Sequence, residues 1–331
     1  MKHIFILNPA AGQGAAVKKC LPAIMEAVKF EELDYVLHRT TGPQEAEFYV
    51  REKCAELPSA QLRFYACGGD GTANEVMNGI YGFPNAEMSV LPAGTGNDLV
   101  RSFAPLRDFR DVRRLVSGAA VPMDAIAYTF YDEVAGADRC KLAANMCNLG
   151  FDSEAAAWAE RLKAYPLISG AAAYIGGVGV ALLRKRALDL QLSFDDGEVL
   201  QEKILLTAVA NGAYCGGGFK GAPDADPRDG VLDVFIAKDV TRRTFLSLLP
   251  QYHAGKHFTE PRAKDILLCK RCKGLRVSSR EQMHIAVDGE VFLTRSASFK
   301  LVPHAIRFAL PLTEARIAEA QDAEMTSFES I

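Results

Sequence analysis

Apolar residues fall in two rhythms along this chain. In the first third, short apolar runs alternate with segments patterned at the helical period. They predict strands at 3–7, 35–38, 62–67 and 88–91, and helices at 14–30, 43–57, 72–80 and 108–117. Strands separated by helices imply a parallel sheet with covered faces, and such sheets bind ligands at the carboxyl ends of their strands. Past Pro122 the texture changes. Runs at 187–194, 204–211, 231–236, 275–278, 284–287 and 299–302 read as strands, most with no helix between them, which predicts an antiparallel sheet or sandwich. Helices are expected at 152–186 and 241–252, and an amphipathic helix with a polar tail from about Thr313. The expected fold is therefore an α/β domain with a parallel sheet, followed by a β-rich antiparallel domain, with the boundary near Pro122.

A length of 331 residues suits two domains, and 49% hydrophobic with 24% charged residues is ordinary for globular chains. The formal net charge of -3 gives no support for a nucleic-acid-binding surface but leaves room for local phosphate sites. The start of the chain does not read as a secretory signal, because Asn8-Pro9 interrupts its short apolar stretch. Eight cysteines then point to free thiols in a reducing, cytoplasmic setting. Cys269 and Cys272 form a lone C-x-x-C, read as two unpaired thiols near a strand in preference to a zinc or redox site. The 20 residues at 164–183 carry no charge and are long enough to span a bilayer. Their Gly, Ala and Pro content favours a helix buried in protein or lining an apolar cleft.

Three Gly-rich segments fall at strand ends in the first third. Asn8-Pro9-Ala10-Ala11-Gly12 suits either a tight turn or a phosphate loop. Gly68-Gly69-Asp70-Gly71-Thr72 places three glycines in four residues after a strand, more than a mere cap needs. There Asp70 has the place to coordinate a metal or orient a hydroxyl, and Thr72 to cap the following helix or reach phosphate. In Gly94-Thr95-Gly96-Asn97-Asp98, Thr95 is placed for phosphate oxygens. Asn97 and Asp98 suit helix capping, and Asp98 also suits a substrate hydroxyl. Neither a P-loop nor the protein-kinase motifs occur.

In order and spacing these motifs resemble the diacylglycerol kinase catalytic domain family, which includes bacterial lipid kinases and sphingosine and ceramide kinases. Further agreement comes at Asn148–Asp152, Gly216-Gly217-Gly218, Asp229-Gly230-x-Leu232-Asp233, Gly255-Lys256-His257 and Asp288-Gly289-Glu290, so the resemblance covers nearly the whole chain. The G-G-D-G-T run is shared with NAD kinases and, in altered form, phosphofructokinases, whereas G-T-G-N-D is the lipid-kinase sequence. Ala15-Ala16 departs from relatives that carry a basic residue after the first glycines.

The resemblance implies a phosphofructokinase/NAD kinase-like ATP-binding domain at 1–122, with about 304–331 returning to it, and a β-sandwich acceptor domain at 123–303. ATP and acceptor would meet in the cleft between them. It assigns ATP to Asn8, Pro9, Gly12, Thr40, Gly68, Gly69, Asp70, Gly71, Thr72, Asn74, Gly94 and Thr95, and the acceptor to Asp98. Asp288 is the first choice for general base with Glu290 second, although Asp-Gly is equally a hairpin signal. Asp70 is the third catalytic carboxylate, beside the Mg²⁺ that accompanies ATP. A second Mg²⁺ would lie on the Asp229 carboxylate and the carbonyls of Asp226 and Val231, where the alternative is a turn capped by Asp229. The acceptor is expected to be a lipid alcohol, its acyl chains facing 164–183, with peripheral membrane contact through Arg184-Lys185-Arg186 and Arg113-Arg114. A soluble alcohol acceptor, a nucleotide-binding regulator without turnover, and a homodimer all stay open.

Overall fold

The computed structural model describes residues 1–163, 165 and 170–313. The tail helix expected from about Thr313, and residues 164 and 166–169 of the uncharged segment, lie outside the described residues. The chain forms two compact units, one of residues 1–94, 103–122 and the chain from Ile306, the other of 95–102 and 123–305.

The first unit has the strands β1 (Lys2–Leu7), β2 (Tyr35–Arg39), β3 (Leu62–Gly68) and β4 (Ala86–Pro92), in the order β2-β1-β3-β4 and all parallel. Helices α1 (Leu21–Phe30), α2 (Glu45–Glu56) and α3 (Asp70–Ile80) connect them. Every residue of β3 and β4 is buried, because helices cover both faces. Burial forces Arg63 to find partners: it pairs with Glu87 at 2.6 Å and donates to the Val116 carbonyl at 2.9 Å. The strand order reverses direction between β1 and β3, and a topological switch point of this kind opens a crevice outside the strand ends.

The helix expected at 14–30 is present: after a 3₁₀ turn at Ala11–Gly14 the chain is helical from Ala15 and runs through a π segment at Ala16–Cys20 into α1. One helical expectation changes. The 108–117 helix is two short pieces, α5 (Leu106–Phe109) and α6 (Val112–Val116), preceded in the chain by α4 (Asp98–Arg101) of the second unit.

The second unit contains β5 (Ala120–Asp132), β6 (Ala137–Ala143), β7 (Met146–Gly150), β8 (Leu188–Phe194), β9 (Val199–Ala210), β10 (Leu232–Lys238), β11 (Leu267–Cys272), β12 (Gly274–Val287) and most of β13 (Glu290–Ala309). The pairings β11-β10-β9-β7-β12-β13 are antiparallel where their register is defined, and β8 pairs with both β9 and β12. Both sheet faces are covered. Along β10, Leu232, Val234 and Ile236 enter one core while Phe235 and Ala237 enter the other. The second core is roofed by α7 (Phe151–Lys163), α8 (Gly170–Leu183) and α9 (Arg242–His253).

The runs at 275–278 and 284–287 prove to be one strand, β12. Its register shifts between Ser278 and Met283, where polar residues hide the continuity. Strands β5, β6 and β7 were not predicted. Much of β6 is solvent-exposed and lacks an apolar signal. Strand β13 ends in the first unit, where Phe308 pairs with Met88 and Ser89 Oγ donates to the Ala309 carbonyl at 2.7 Å. No helix among the described residues is long and apolar enough to cross a membrane.

Candidate active site

In the first unit, three glycine segments converge at the switch point. The Asn8 side chain donates to Thr72 Oγ1 at 2.9 Å and accepts the Ala10 N–H at 3.0 Å. The Gly68 carbonyl accepts the N–H groups of Ala93 and Gly94 at 2.8 and 3.1 Å. The loops touch so closely that side chains are excluded. A Cβ on Gly12 would lie 2.1 Å from the Ala93 carbonyl oxygen, and one on Gly68 2.3 Å from Thr72 Oγ1. Gly12 also has φ +57°, the left-handed region that favours glycine. Gly71 differs, because a Cβ there would meet open space. It is half-buried in the first turn of α3, where first-turn N–H groups have no partner within the helix.

The structure brings Asn8, Pro9, Gly12, Gly68, Gly69, Asp70, Gly71, Thr72 and Gly94 to this one edge. Thr72 does not cap α3, because Gly69 is the N-cap and the Thr72 hydroxyl takes the Asn8 donor instead. Thr40 is buried just past β2, with its N–H on the Leu7 carbonyl at 3.0 Å, which is the strand-end role. Asn74 points along α3, accepting from the Asn78 amide.

In the second unit, Thr95 and Asp98 pack on the glycine run 216–218. Asp98 is buried, does not cap α4, and accepts the Gly217 N–H at 2.8 Å. Asp288 and Gly289 form a two-residue hairpin turn with φ of +46° and +93°, between the paired Val287 and Glu290. The Asp288 carboxylate accepts backbone N–H groups from Ala144, Asn145 and Met146 at 2.6, 3.0 and 3.0 Å. Both its oxygens are thereby committed to bracing the bend between β6 and β7. Glu290 follows on the exposed side of the turn.

The 226–231 loop is closed by its own bonds. The Asp226 carbonyl accepts the N–H groups of Arg228 and Asp229 at 2.7 and 3.2 Å, and its carboxylate chelates the Arg228 guanidinium. Asp229 accepts the Val231 N–H at 3.2 Å and lies 3.8 Å from Arg271. Among the described residues no cluster of three or more His, Cys, Asp and Glu suits a metal.

Sequence reasoning missed the side chains that lock this unit's loops together. Asp124 is fully buried, and its two oxygens accept the His304 and Gly230 N–H groups at 2.7 and 2.9 Å. Asn211 donates to the carbonyls of Asp124 and Ala144 at 2.9 and 2.8 Å, and Asn145 to that of Tyr214 at 2.8 Å. Ser102 Oγ accepts the Ala213 N–H at 2.9 Å. A carboxylate inside the apolar run Met123–Ile126 was the available signal, since a buried charge demands partners.

Beneath α9 lies an apolar cavity of about 40 Å³ lined by Leu205, Leu206, Phe235, Phe245, Leu248 and His257, among others. His257 is 1% exposed and packs edge-on against Phe235 and Tyr252 and tilted against Phe258. Burial pushes its pKa down to about 4. Beside it, Tyr252 donates to the Asp152 carboxylate at 3.1 Å, and burial pushes Asp152 up to about 6.

Comparison with known proteins covers both units. Residues 2–128 match the diacylglycerol kinase catalytic domain, and residues 145–310 match the YegS C-terminal NAD kinase beta sandwich-like domain. A protein named "Probable lipid kinase YegS-like" from Pseudomonas aeruginosa is 31% identical over 260 residues, covering 74% of this chain and 76% of that one. The diacylglycerol kinase of Bacillus subtilis is 28% identical over 292 residues, covering 86% and 88%. A crystal structure of a diacylglycerol kinase from Bacillus anthracis aligns with TM-score 0.66 at 20% identity, covering 95% of this chain and 97% of that one.

Proposed function

The chain belongs to the diacylglycerol kinase catalytic domain family, with its YegS-type C-terminal domain, and on that premise we propose that it is an ATP-dependent lipid kinase transferring the γ-phosphoryl group to a lipid hydroxyl such as that of diacylglycerol or a sphingoid base. The observation that carries this reading is the convergence of the three glycine segments at the switch point, where packing excludes side chains and brings the loop backbones together at the head of α3. Backbone N–H groups at the head of an eleven-residue helix hold phosphate without a P-loop.

In this reading residues 1–122 and the returning chain bind ATP, and 123–303 bind the acceptor. Gly12, Gly68, Gly69, Gly71 and Gly94 let the polyphosphate approach the backbone. Asn8 and Thr72 fix the loops to each other, and Pro9, Thr40, Asn74 and Thr95 border the nucleotide. Asp70 is a hard oxygen donor at the head of α3, which fits the Mg²⁺ that accompanies ATP. When bound, that cation neutralises phosphate charge. No step runs through a cation on Asp226, Asp229 and Val231. Glu290 takes the proton from the acceptor hydroxyl, Asp98 orients that hydroxyl, and Asp288 holds the turn that carries Glu290. A lipid acceptor brings the protein to a membrane surface.

The test is transfer of label from γ-³²P-ATP, with Mg²⁺, to a panel of lipid and soluble alcohols. Label in lipid is expected. Label only in soluble products overturns the lipid assignment, and absence of transfer to any acceptor overturns the kinase assignment.

A further inference from the structure

Helix α8 poses a problem that the phosphoryl-transfer machinery does not solve. It carries no charged residue at all. Its inner face is made of small residues packed on α7: a Cβ on Gly177 would lie 2.4 Å from the Ala155 carbonyl oxygen. Its outer face is apolar too. Ala172, Ile175, Gly179 and Leu183 recur at helical spacing and are all exposed, Ile175 by 72% and Leu183 by 78%. A helix apolar all round belongs in a core or against lipid, not in water.

The surroundings say which. The Trp158 ring of α7 lies beneath the guanidinium groups of Arg161 and Arg184, at 4.7 and 4.8 Å from its centroid. Arg242, at the start of α9, donates to the carbonyls of Leu182 and Leu183 at 2.8 and 2.9 Å, which fixes α9 beside the end of α8. One turn along α9, Leu246 is half exposed, and Arg243 is exposed next to Arg242. Lys185 and Arg186 are already engaged, by Asp239 and Glu281. Among acidic neighbours on α7, Glu154 is tied to His284 at 2.6 Å, and Glu160 is exposed. An apolar stripe ringed by arginines, with an aromatic residue at the border, has the chemistry of an interfacial helix on an anionic bilayer.

We propose that α8, together with the end of α7 and the start of α9, is the membrane-docking face of this protein, with Ile175, Leu183 and Leu246 entering the acyl boundary and Arg161, Arg184, Arg242 and Arg243 meeting anionic head groups. The proposal rests on the lipid-kinase reading for its purpose, but its test is independent of turnover.

Trp158 is the only tryptophan in the chain, so intrinsic fluorescence reports on this face alone. The protein is titrated with phosphatidylcholine vesicles with and without phosphatidylglycerol, some carrying brominated acyl chains. A blue shift and bromine quenching are expected with the anionic vesicles. The double variant Ile175→Glu/Leu183→Glu should bind those vesicles about tenfold or more weakly. Both sites are exposed, so its melting temperature should stay that of the parent, and activity on water-soluble short-chain diacylglycerol should stay within about twofold. An unchanged Trp158 spectrum, or a double variant that binds vesicles like the parent, overturns the proposal. So does a parent that ignores vesicles and sediments as a dimer which the variant disrupts, because α8 then covers a second copy. Vesicle binding by a protein that phosphorylates no lipid would uphold the docking face and overturn the kinase reading.

Discussion

Glu290 and Asp288 stand two residues apart in different surroundings, and in the proposed mechanism they do different work. Asp288 holds three backbone N–H groups, and Glu290 lies exposed beyond the turn. Glu290→Gln should therefore lower kcat by about 10²–10⁴-fold with little change in melting temperature, as removal of a general base does. Asp288→Asn should cost about 1–3 kcal/mol of stability, measured by denaturant unfolding, because an amide replaces one acceptor oxygen with a donor facing donors. Equal turnover in Glu290→Gln and the parent would remove Glu290 from the mechanism. Gly12→Ala combines a positive φ with a 2.1 Å approach to the Ala93 carbonyl. It should cost about 1–3 kcal/mol and raise the KM for ATP. The type of residue was legible at these places, since D-G-E and the glycines stand in the sequence. The division of labour between two carboxylates was not, because it depends on the 144–146 bend more than a hundred residues away.

At the scale of elements, apolar rhythm located most of the buried strands. It failed in β6, which is largely exposed, in β12, whose polar stretch at 279–282 splits one strand into two apparent ones, and also in β5 and β7, which are mostly buried. The start of the first helix has a local cause, since Gly12, Gln13 and Gly14 all take positive φ and the helix begins just after them. The α7–α8 contact depends on small residues. Gly177→Val should push the pair apart and lower stability by about 1–3 kcal/mol, read as a lower melting temperature, since its Cβ would fall 2.4 Å from one backbone atom of α7 and 2.7 Å from another. A melting temperature equal to the parent's would show that the helices separate without cost.

At the scale of the molecule, buried titratable groups set how stability follows pH. Burial lowers His3 and His257 to about 4, so their contribution is complete above about 6.5 and is lost as pH falls through the window down to about 4. Asp152 runs the other way: with its pKa raised from 3.8 to about 6, its contribution is lost as pH rises through that range. Two groups outweigh one, so the melting temperature should fall on acidification from pH 6.5 to 4. His257→Phe should flatten that slope, and Asp152→Asn should steepen it while stabilising the protein at pH 8 by of order 1 kcal/mol. Melting curves at a series of pH values decide the point, and an unaltered slope in either variant counts against that residue's part.

The sequence by itself determined the two textures of the chain, the place of its three glycine segments at strand ends, and the family, because those depend on local period and on residue type at fixed spacing. Only the tertiary structure decided that β1 and β3 straddle the reversal of strand order, that Asp288 braces the 144–146 bend, that the 226–231 loop carries its own internal bonds, and that α8 turns an apolar stripe outward. Each of those rests on which backbone groups and side chains meet across long sequence separations, and a one-dimensional pattern carries no record of such pairings.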